Sequence, residues 1–247
     1  MIIDYPFVEE EFETIRTIIR RKASIARFGY GEMNLVFDKA QIMQPPDPRL
    51  CKMLREILFT EDEKLLVGLP RIIGRLDLIY NDPPKINFWD KKKRKWLDCF
   101  KMDKKYYSAF ISRPDSAPHI NCDDYWNLCK EIWRDRNLVL VQGLKYLHAD
   151  NDLFKTAKKV DMIFGPRRQA FMQYDEIIEQ VCNYDKDSVV YIALGPAGTA
   201  LAYGLHKLGY QALDMGHHGG YYAGRFKGIP RARQDMARIE APEKYNG

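Results

Sequence analysis

Apolar residues in the first part of the chain follow a helical period and then break into short runs. Phe12, Ile15, Ile18 and Ile19 form one stripe, with acidic residues before it and basic residues after it, as the helix dipole favours. This pattern predicts an amphipathic helix. The apolar runs that follow are SIARF, LLVGL and AFIS, and segments of helical spacing separate the first two.

The second half of the chain has a clearer alternation. Segments of helical spacing near NDLFKTAKK, RQAFMQYDEIIEQVC and AGTALAYGLHKLG separate four apolar runs, NLVLVQG, VDMIFGP, SVVYIALG and QALDMG. Continuous apolar runs separated by helices indicate parallel strands covered on both faces. We therefore predict an α/β fold, a single Rossmann-like domain with a mostly parallel sheet flanked by helices on both faces. It covers residues 1–226, with a less regular insertion at about 71–135, and a tail follows at 227–247.

The net positive charge of the chain is concentrated in one segment. The stretch Asp90–Lys105 holds eight Lys or Arg against three Asp, which equals the net charge of +5. We interpret it as a solvated helix face or loop; the functional alternative is contact with anionic lipid headgroups, a lipid-linked acceptor or RNA.

Because no apolar run reaches the roughly 18 residues of a membrane-spanning helix, and the N-terminus is acidic, we expect a cytoplasmic protein. Peripheral contact with the inner face of the membrane through Lys91–Lys105 stays open, as does a homo-oligomer, and no nucleic acid is expected.

The candidate site residues follow from the predicted sheet. In open parallel sheets, ligands bind beyond the carboxyl ends of the strands. The residues at or after those ends are Arg27, Gly29, Tyr30, Gly31, Glu32, Arg71, Arg113, Gly195, Pro196, Gly198, Thr199, Asp214, His217 and His218.

Each candidate has a functional and a structural interpretation. Small residues at 195–199, between a strand and a helix, let a diphosphate approach backbone N–H groups, or serve only turning and close packing. Glu32 suits a divalent cation, or only the dipole of the helix that it begins. The arginines are suited to bind phosphate or an acceptor carboxylate; the structural alternative is that they form ion pairs at the surface. Asp214, His217 and His218 suit contact with a ribose, a diphosphate or a metal; the structural alternative is a loop-capping Asp and hydrogen-bonded histidines.

Several blocks of the sequence resemble a known family. ARFGYGEMNLVF, FISRP, NDLFKTAKKVDMIFGP, QYDEIIEQV and LGPAGTALAYGLHKLGYQALDMGH are similar, in this order, to the GT-D-type glycosyltransferases, over most of residues 10–222. The resemblance implies a Rossmann-like GT-D fold that transfers a hexose from a nucleotide sugar, commonly linked to uridine diphosphate. The implied acceptor is a surface glycan, a glycoprotein or a lipid-linked sugar.

The resemblance also implies Mn²⁺ or Mg²⁺, held by an Asp-X-Glu motif. Glu32 matches the motif Glu, but Tyr30 stands at the Asp position, and a phenol with an unperturbed pKa of about 10 is a poor ligand. A second departure is at MGHHGGYYAG, where glycines replace an acid expected after the histidine. Three outcomes stay open: a metal held by Glu32, Asp214 and the diphosphate; a metal-independent enzyme using His or Arg; or a protein that binds without turnover.

His217 is the first candidate for the base that accepts the proton of the acceptor hydroxyl, with Asp77 in reserve, because a neutral imidazole is available near pH 7. The rival from another class is a non-catalytic nucleotide-sugar or glycan-binding protein of the same fold. An NAD-dependent oxidoreductase is disfavoured, since the first βα turn lacks GxGxxG and no acid follows at the spacing of about 20 residues.

Overall fold

The strands form where the sequence has its apolar runs. The computed structural model describes residues 5–71, 95–143 and 152–228. The strands of these residues are β1 Ser24–Arg27, β2 Leu65–Leu69, β3 Tyr107–Ser108, β4 Asn137–Gly143, β5 Lys159–Gly165, β6 Val189–Ala193 and β7 Gln211–Asp214.

The helices begin and end at residues suited to those positions. Asp47 caps the third helix by accepting a hydrogen bond from Leu50 N at 3.0 Å, and Lys22 closes the first in the left-handed conformation. The α-helices are α1 Glu11–Arg21, α2 Tyr30–Val36, α3 Pro48–Phe59, α4 Asp123–Lys130, α5 Tyr174–Val181, α6 Pro196–Lys207 and α7 His218–Tyr221. The 3₁₀ turns are Leu97–Cys99, Ala109–Ser112, Pro118–Ile120, Asp152–Phe154 and Ala170–Gln173, and Tyr222–Phe226 is a π-helical turn.

All neighbouring strands of the sheet are parallel, in the order β3-β2-β1-β7-β6-β4-β5. Every residue of β2 and of β7 is buried. Successive side chains of a strand point to opposite faces, so both faces of the sheet are covered. The predicted α/β fold with a parallel sheet is confirmed.

Two predicted elements differ in the structure. AFIS forms the 3₁₀ turn Ala109–Ser112, because the hydroxyl of Ser108 accepts a hydrogen bond from Phe110 N at 3.0 Å and turns the chain at the end of β3. Within NDLFKTAKK, the described residues before β5 form only the 3₁₀ turn Asp152–Phe154, because Thr156 Oγ1 donates to Lys130 O at 2.8 Å and leads the chain into β5.

The predicted insertion at 71–135 contributes β3 and α4 to the domain, and its residues 72–94 lie outside the described part of the chain. Of the predicted tail, only Lys227 and Gly228 are described. Among the helices of the described residues, none has both the length and the apolar character needed to cross a bilayer.

Candidate functional site

A cleft of about 410 Å³ opens at the carboxyl edge of the sheet. This volume is in the range of small-molecule sites, which are commonly about 300–1,000 Å³. Residues that end or follow six of the strands line it: Arg27 at the end of β1 and Gly29, Tyr30, Gly31 and Glu32 after it; Ala109, Phe110, Ser112 and Arg113 after β3; Gly143 at the end of β4; Arg167 and Ala170 after β5; Ala193 at the end of β6 and Leu194, Gly195 and Pro196 after it; Asp214 at the end of β7 and Gly216 and His217 after it. Met43 and Gln44 complete the wall.

Most of the residues expected from the sequence meet in this cleft. The predicted diphosphate site requires Gly195 and Glu32 to share one cleft, and both line it. Sequence reasoning missed Arg167 and Gln44. Arg167 follows the run VDMIFGP, so the carboxyl-end rule would have found it. No local pattern marks Gln44, whose Oε1 accepts a hydrogen bond from Phe171 N at 3.2 Å.

Four predicted site residues do not line the cleft. Arg71 Nη1 lies 3.3 Å from Glu11 Oε2, an ion pair between the end of β2 and the start of α1. Gly198 packs closely, since a Cβ atom there would lie 3.2 Å from Cγ2 of Ile192. Thr199 and His218 are fully buried. Asp77 lies outside the described residues.

His218 belongs to the aromatic core rather than to the cleft wall. Its Nδ1 lies 3.2 Å from the hydroxyl of Tyr191, and its ring centroid lies 4.9 Å from that of Trp126. Burial, followed by the charge of Arg27, lowers the pKa of His218 to about 3. The side chain is therefore neutral at physiological pH.

A buried ion pair joins β1 and β7 at the bottom of the cleft. Arg27 Nη2 lies 3.2 Å from Asp214 Oδ1, and these side chains are only 11% and 6% exposed. Arg27 Nε donates to the carbonyl of Asp214, and Nη1 donates to Ala109 O at 2.8 Å. Thr199 Oγ1 lies 3.1 Å from Asp214 Oδ2 and 3.0 Å from Arg27 O. The Thr199 hydroxyl thus contacts both residues of the ion pair.

Glu32 stands in the first turn of α2. Its Oε2 accepts a hydrogen bond from Gly29 N at 2.8 Å, which satisfies an N–H group before the helix. Burial and then the nearby charge of Asp214 raise the pKa of Glu32 above 4.5. The two acids of the cleft are therefore close enough to repel one another.

His217 lies in the cleft wall next to an arginine. Arg113 Nε and Nη2 donate to the carboxylate of Asp115 at 2.9 and 2.8 Å, and its guanidinium lies 5.8 Å from the ring centroid of Tyr221. The Tyr221 ring is 6.5 Å from that of His217. Partial desolvation by the cleft walls, then the charges of Arg113 and Arg27, lower the pKa of His217 below 6.5. A neutral imidazole suits a proton acceptor.

The start of α6 faces the same cleft. Gly195 has φ +55° and ψ −144°, a conformation that essentially only glycine adopts without strain, and Pro196 begins the helix. The chain thus turns sharply from β6 into a helix of 12 residues whose positive end is at the cleft.

Comparisons with known proteins agree with this geometry. The family model described as "Glycosyltransferase GT-D fold" matches residues 25–236. The chain belongs to this family. It is 32% identical over 215 residues to the probable glycosyl transferase Gly of Streptococcus gordonii and 31% identical over 212 residues to the glycosyltransferase GlyD of Streptococcus pneumoniae serotype 4. Each match covers 83% of this chain, but only 31% and 26% of those proteins, so the chain spans less than a third of their length.

Solved structures support membership of the GT-D family. One, described as a highly conserved domain with a distinct glycosyltransferase fold, has a TM-score of 0.81 and 32% identity, over 91% of this chain and 83% of that one. Another, a new glycosyltransferase from Streptococcus sanguinis, has a TM-score of 0.80 and 31% identity, over 91% and 86%. The family and the fold expected from the sequence blocks are both confirmed.

The metal expected for this GT-D family member does not fit the residues of the cleft. Among the described residues, no three His, Cys, Asp or Glu side chains come together as a metal centre. Asp214 accepts hydrogen bonds from Arg27 and Thr199, and a cation at its carboxylate would lie beside the guanidinium of Arg27. Glu32 is the other acid among the described residues that line the cleft, and its Oε2 already accepts a hydrogen bond from Gly29 N. Mg²⁺ is usually bound by one or two carboxylates together with substrate phosphates and water, and here one of the two acids is already paired with an arginine.

Proposed function

We propose that this chain is a hexosyltransferase that transfers a hexose from a nucleotide-diphosphate sugar to a glycan, glycoprotein or lipid-linked acceptor in the synthesis of a surface polysaccharide or glycoprotein. Uridine diphosphate is the first donor nucleotide to test. One observation carries the proposal: a single cleft at the carboxyl edge joins the start of α6, three arginines and His217. Membership of the GT-D family supports the same reaction class.

The diphosphate of the donor is expected against the start of α6, where Gly195 leaves room for it and backbone N–H groups point outwards. The bond from the anomeric carbon to the diphosphate breaks in the transfer, and negative charge develops on the departing phosphate. Fixed N–H dipoles and arginine charges stabilise that charge in a partly water-excluded cleft. His217 accepts the proton of the acceptor hydroxyl as its oxygen bonds to the anomeric carbon.

A catalytically degenerate nucleotide-sugar or glycan-binding protein of the same fold is the second candidate. It is favoured by Tyr30, which is 42% exposed in the cleft wall at the position that the resemblance assigns to an acid. Such a protein binds the nucleotide diphosphate and releases none from a donor sugar.

Location and membrane contact stay predictions. We propose a cytoplasmic location, with contact between Lys91–Lys105 and an anionic membrane surface as the accompanying hypothesis. In the described part of this segment, Lys101 Nζ lies 2.5 Å from Glu61 Oε1 and Lys105 Nζ lies 2.8 Å from Glu9 Oε2. These two charges are partly compensated, so any membrane attraction would depend on the other basic residues of the segment.

The test of the proposed function is an assay of released nucleotide and of transferred hexose. Uridine-, guanosine- and deoxythymidine-diphosphate hexoses are each incubated with the protein and a panel of oligosaccharide acceptors, in EDTA and in manganese. We expect one nucleotide class to be released, with transfer to at least one acceptor. Binding without release would support the second candidate, and neither binding nor release with any donor would refute both.

A further inference from the structure

The arginines that line the cleft differ in their acidic partners. Arg27 pairs with Asp214 and Arg113 pairs with Asp115. Arg167 is exposed, lines the cleft, and takes part in none of the ion pairs formed between described residues. Its positive charge is therefore the one among these three that no acid in the described chain compensates.

Arg167 also lies next to the expected position of the diphosphate. A Cβ atom on Gly143 would lie 3.5 Å from Cα of Arg167 and 3.8 Å from Cδ2 of Leu194, the residue before Gly195. These are ordinary van der Waals distances, and they place Gly143, at the end of β4, between the chain after β5 and the end of β6. This packing places the backbone of Arg167, a residue that lines the cleft, near the end of the strand that leads into α6.

The acidic residues of the cleft offer little negative charge that is not already paired. Asp214 is committed to Arg27 and Thr199, and Tyr30 carries a phenol where the resemblance expects a carboxylate. Among the described residues that line the cleft, three are arginines and two, Glu32 and Asp214, are acids, so the lining itself carries more arginine than carboxylate charge. An anion is attracted to such a site without a bridging cation.

We propose that Arg167, together with the backbone amides at the start of α6, binds the diphosphate of the donor directly, and that this binding does not require a divalent cation. This inference rests on the proposed function and adds to it the group that neutralises the leaving phosphate. The guanidinium is planar and always charged, and its paired N–H groups match two phosphate oxygens. A lysine at this position keeps the charge but loses the paired geometry.

The test is isothermal titration with uridine, guanosine and deoxythymidine diphosphates as probes, each in EDTA and in manganese. We expect at least one of them to bind in EDTA, with a dissociation constant within about threefold of that in manganese. Arg167→Ala should weaken this binding by at least about tenfold, in line with the loss of a charge-assisted hydrogen bond, and Arg167→Lys should lie between the two.

Arg168→Ala is the matched control, because Arg168 is exposed, follows Arg167 in the chain, and does not line the cleft. We expect its dissociation constant for the diphosphate to be within about twofold of that of the unmodified protein. Both variants should keep the same melting temperature, since neither side chain is buried or paired with an acid among the described residues.

The outcomes separate the inference from the proposed function. Binding that appears only with manganese, or an Arg167→Ala affinity equal to that of Arg168→Ala, overturns the inference and leaves the hexosyltransferase proposal standing. Failure of every diphosphate and of every donor sugar to bind overturns both. Cation-independent binding that depends on Arg167 supports both.

Discussion

Adjacent histidines at the end of β7 have opposite environments. His217 lines the cleft, whereas the fully buried His218 packs between Trp126 and Tyr191. The reason is the turn into α7, which begins at His218 and directs successive side chains to different sides. One histidine is therefore available for proton transfer and the other is part of the core.

Replacement of His217 by Asn should remove the proposed base. We expect kcat to fall by about 10²–10⁴-fold, while the affinity for the nucleotide diphosphate changes little because the arginines and α6 are untouched. Steady-state kinetics of hexose transfer and titration calorimetry measure the two quantities. An unchanged kcat would remove His217 from the mechanism.

The pH dependence of the unmodified protein follows from the same residue. The neutral imidazole is the active form, so the rate falls as the pH drops through the pKa of His217. Because partial desolvation, Arg113 and Arg27 lower that pKa, the acid limb of kcat/KM should have its midpoint below 6.5, with a plateau at pH 7. The charged and titratable groups facing the imidazole are Arg113, Arg27, Asp115, Asp214 and Tyr221. A midpoint above 6.5 would contradict this assignment.

Tyr30→Asp should change the metal response of the site. It adds a second carboxylate to the first turn of α2, two residues before Glu32. We expect diphosphate binding to weaken in EDTA, because the cleft becomes more negative, and to recover in manganese, because two acids and the phosphate oxygens together hold a cation. Tyr30→Asn is the uncharged control and should show neither effect in the same titrations. Equal manganese responses of the two variants would count against this account.

At the scale of elements, α6 connects the core to the cleft. The helix packs on β1 and β7, and Gly204 brings it close to α5. A Cβ atom on Gly204 would lie 1.9 Å from the hydroxyl of Tyr174, so a side chain here would have to displace the Tyr174 ring. The position of the Gly195 turn at the cleft depends on this packing.

Gly204→Ala should destabilise the protein in spite of the better helix propensity of alanine. The propensity gain is about 1 kcal/mol, whereas displacement of the Tyr174 ring by overpacking costs about 1–3 kcal/mol. We expect a net loss of about 1 kcal/mol in the free energy of unfolding, measured by urea denaturation. In a Tyr174→Phe background the loss should be smaller or reversed, and an equal loss in both backgrounds would show that the hydroxyl contact is not the cause.

For the molecule as a whole, the sheet has one position where two neighbouring strands share very little pairing. β4 and β5 pair over seven residues, but β1 and β7 pair only at Ile25 and Leu213. The buried pair Arg27–Asp214 lies just beyond this single pairing and links β1, β2 and β3 to the other four strands. Part of the cohesion between the two sides of the cleft therefore comes from an ion pair.

Asp214→Asn should lower the stability of the whole domain, because it leaves the guanidinium of Arg27 buried without a countercharge. We expect a loss of about 3 kcal/mol and a fall in Tm of roughly 6–12 °C, measured by calorimetry. Arg49→Ala is the contrasting control: it breaks the exposed pair with Asp175, at 54% and 74% exposure, and should cost less than about 1 kcal/mol. Similar losses in both variants would contradict the role given to burial.

Sequence patterns are enough to predict the parallel α/β fold and much of the cleft. Continuous apolar runs mark strands buried on both faces, and parallel strands bring their carboxyl ends to one edge. Glu32, Gly195 and His217 follow such runs, and all three line the cleft. These properties depend on the local sequence pattern and on the direction of the strands, and both can be inferred from the sequence.

The tertiary structure alone decided which partners these residues have. Arg27 pairs with Asp214, 187 positions away, and Gln44 contacts Phe171, 127 positions away. Arg71 follows a strand as predicted, yet Glu11 pairs with it away from the cleft. Such contacts depend on the strand order β3-β2-β1-β7-β6-β4-β5 and on helix packing. Local periodicity carries no information about either, because the energy of a long-range pair depends on positions that the whole fold sets.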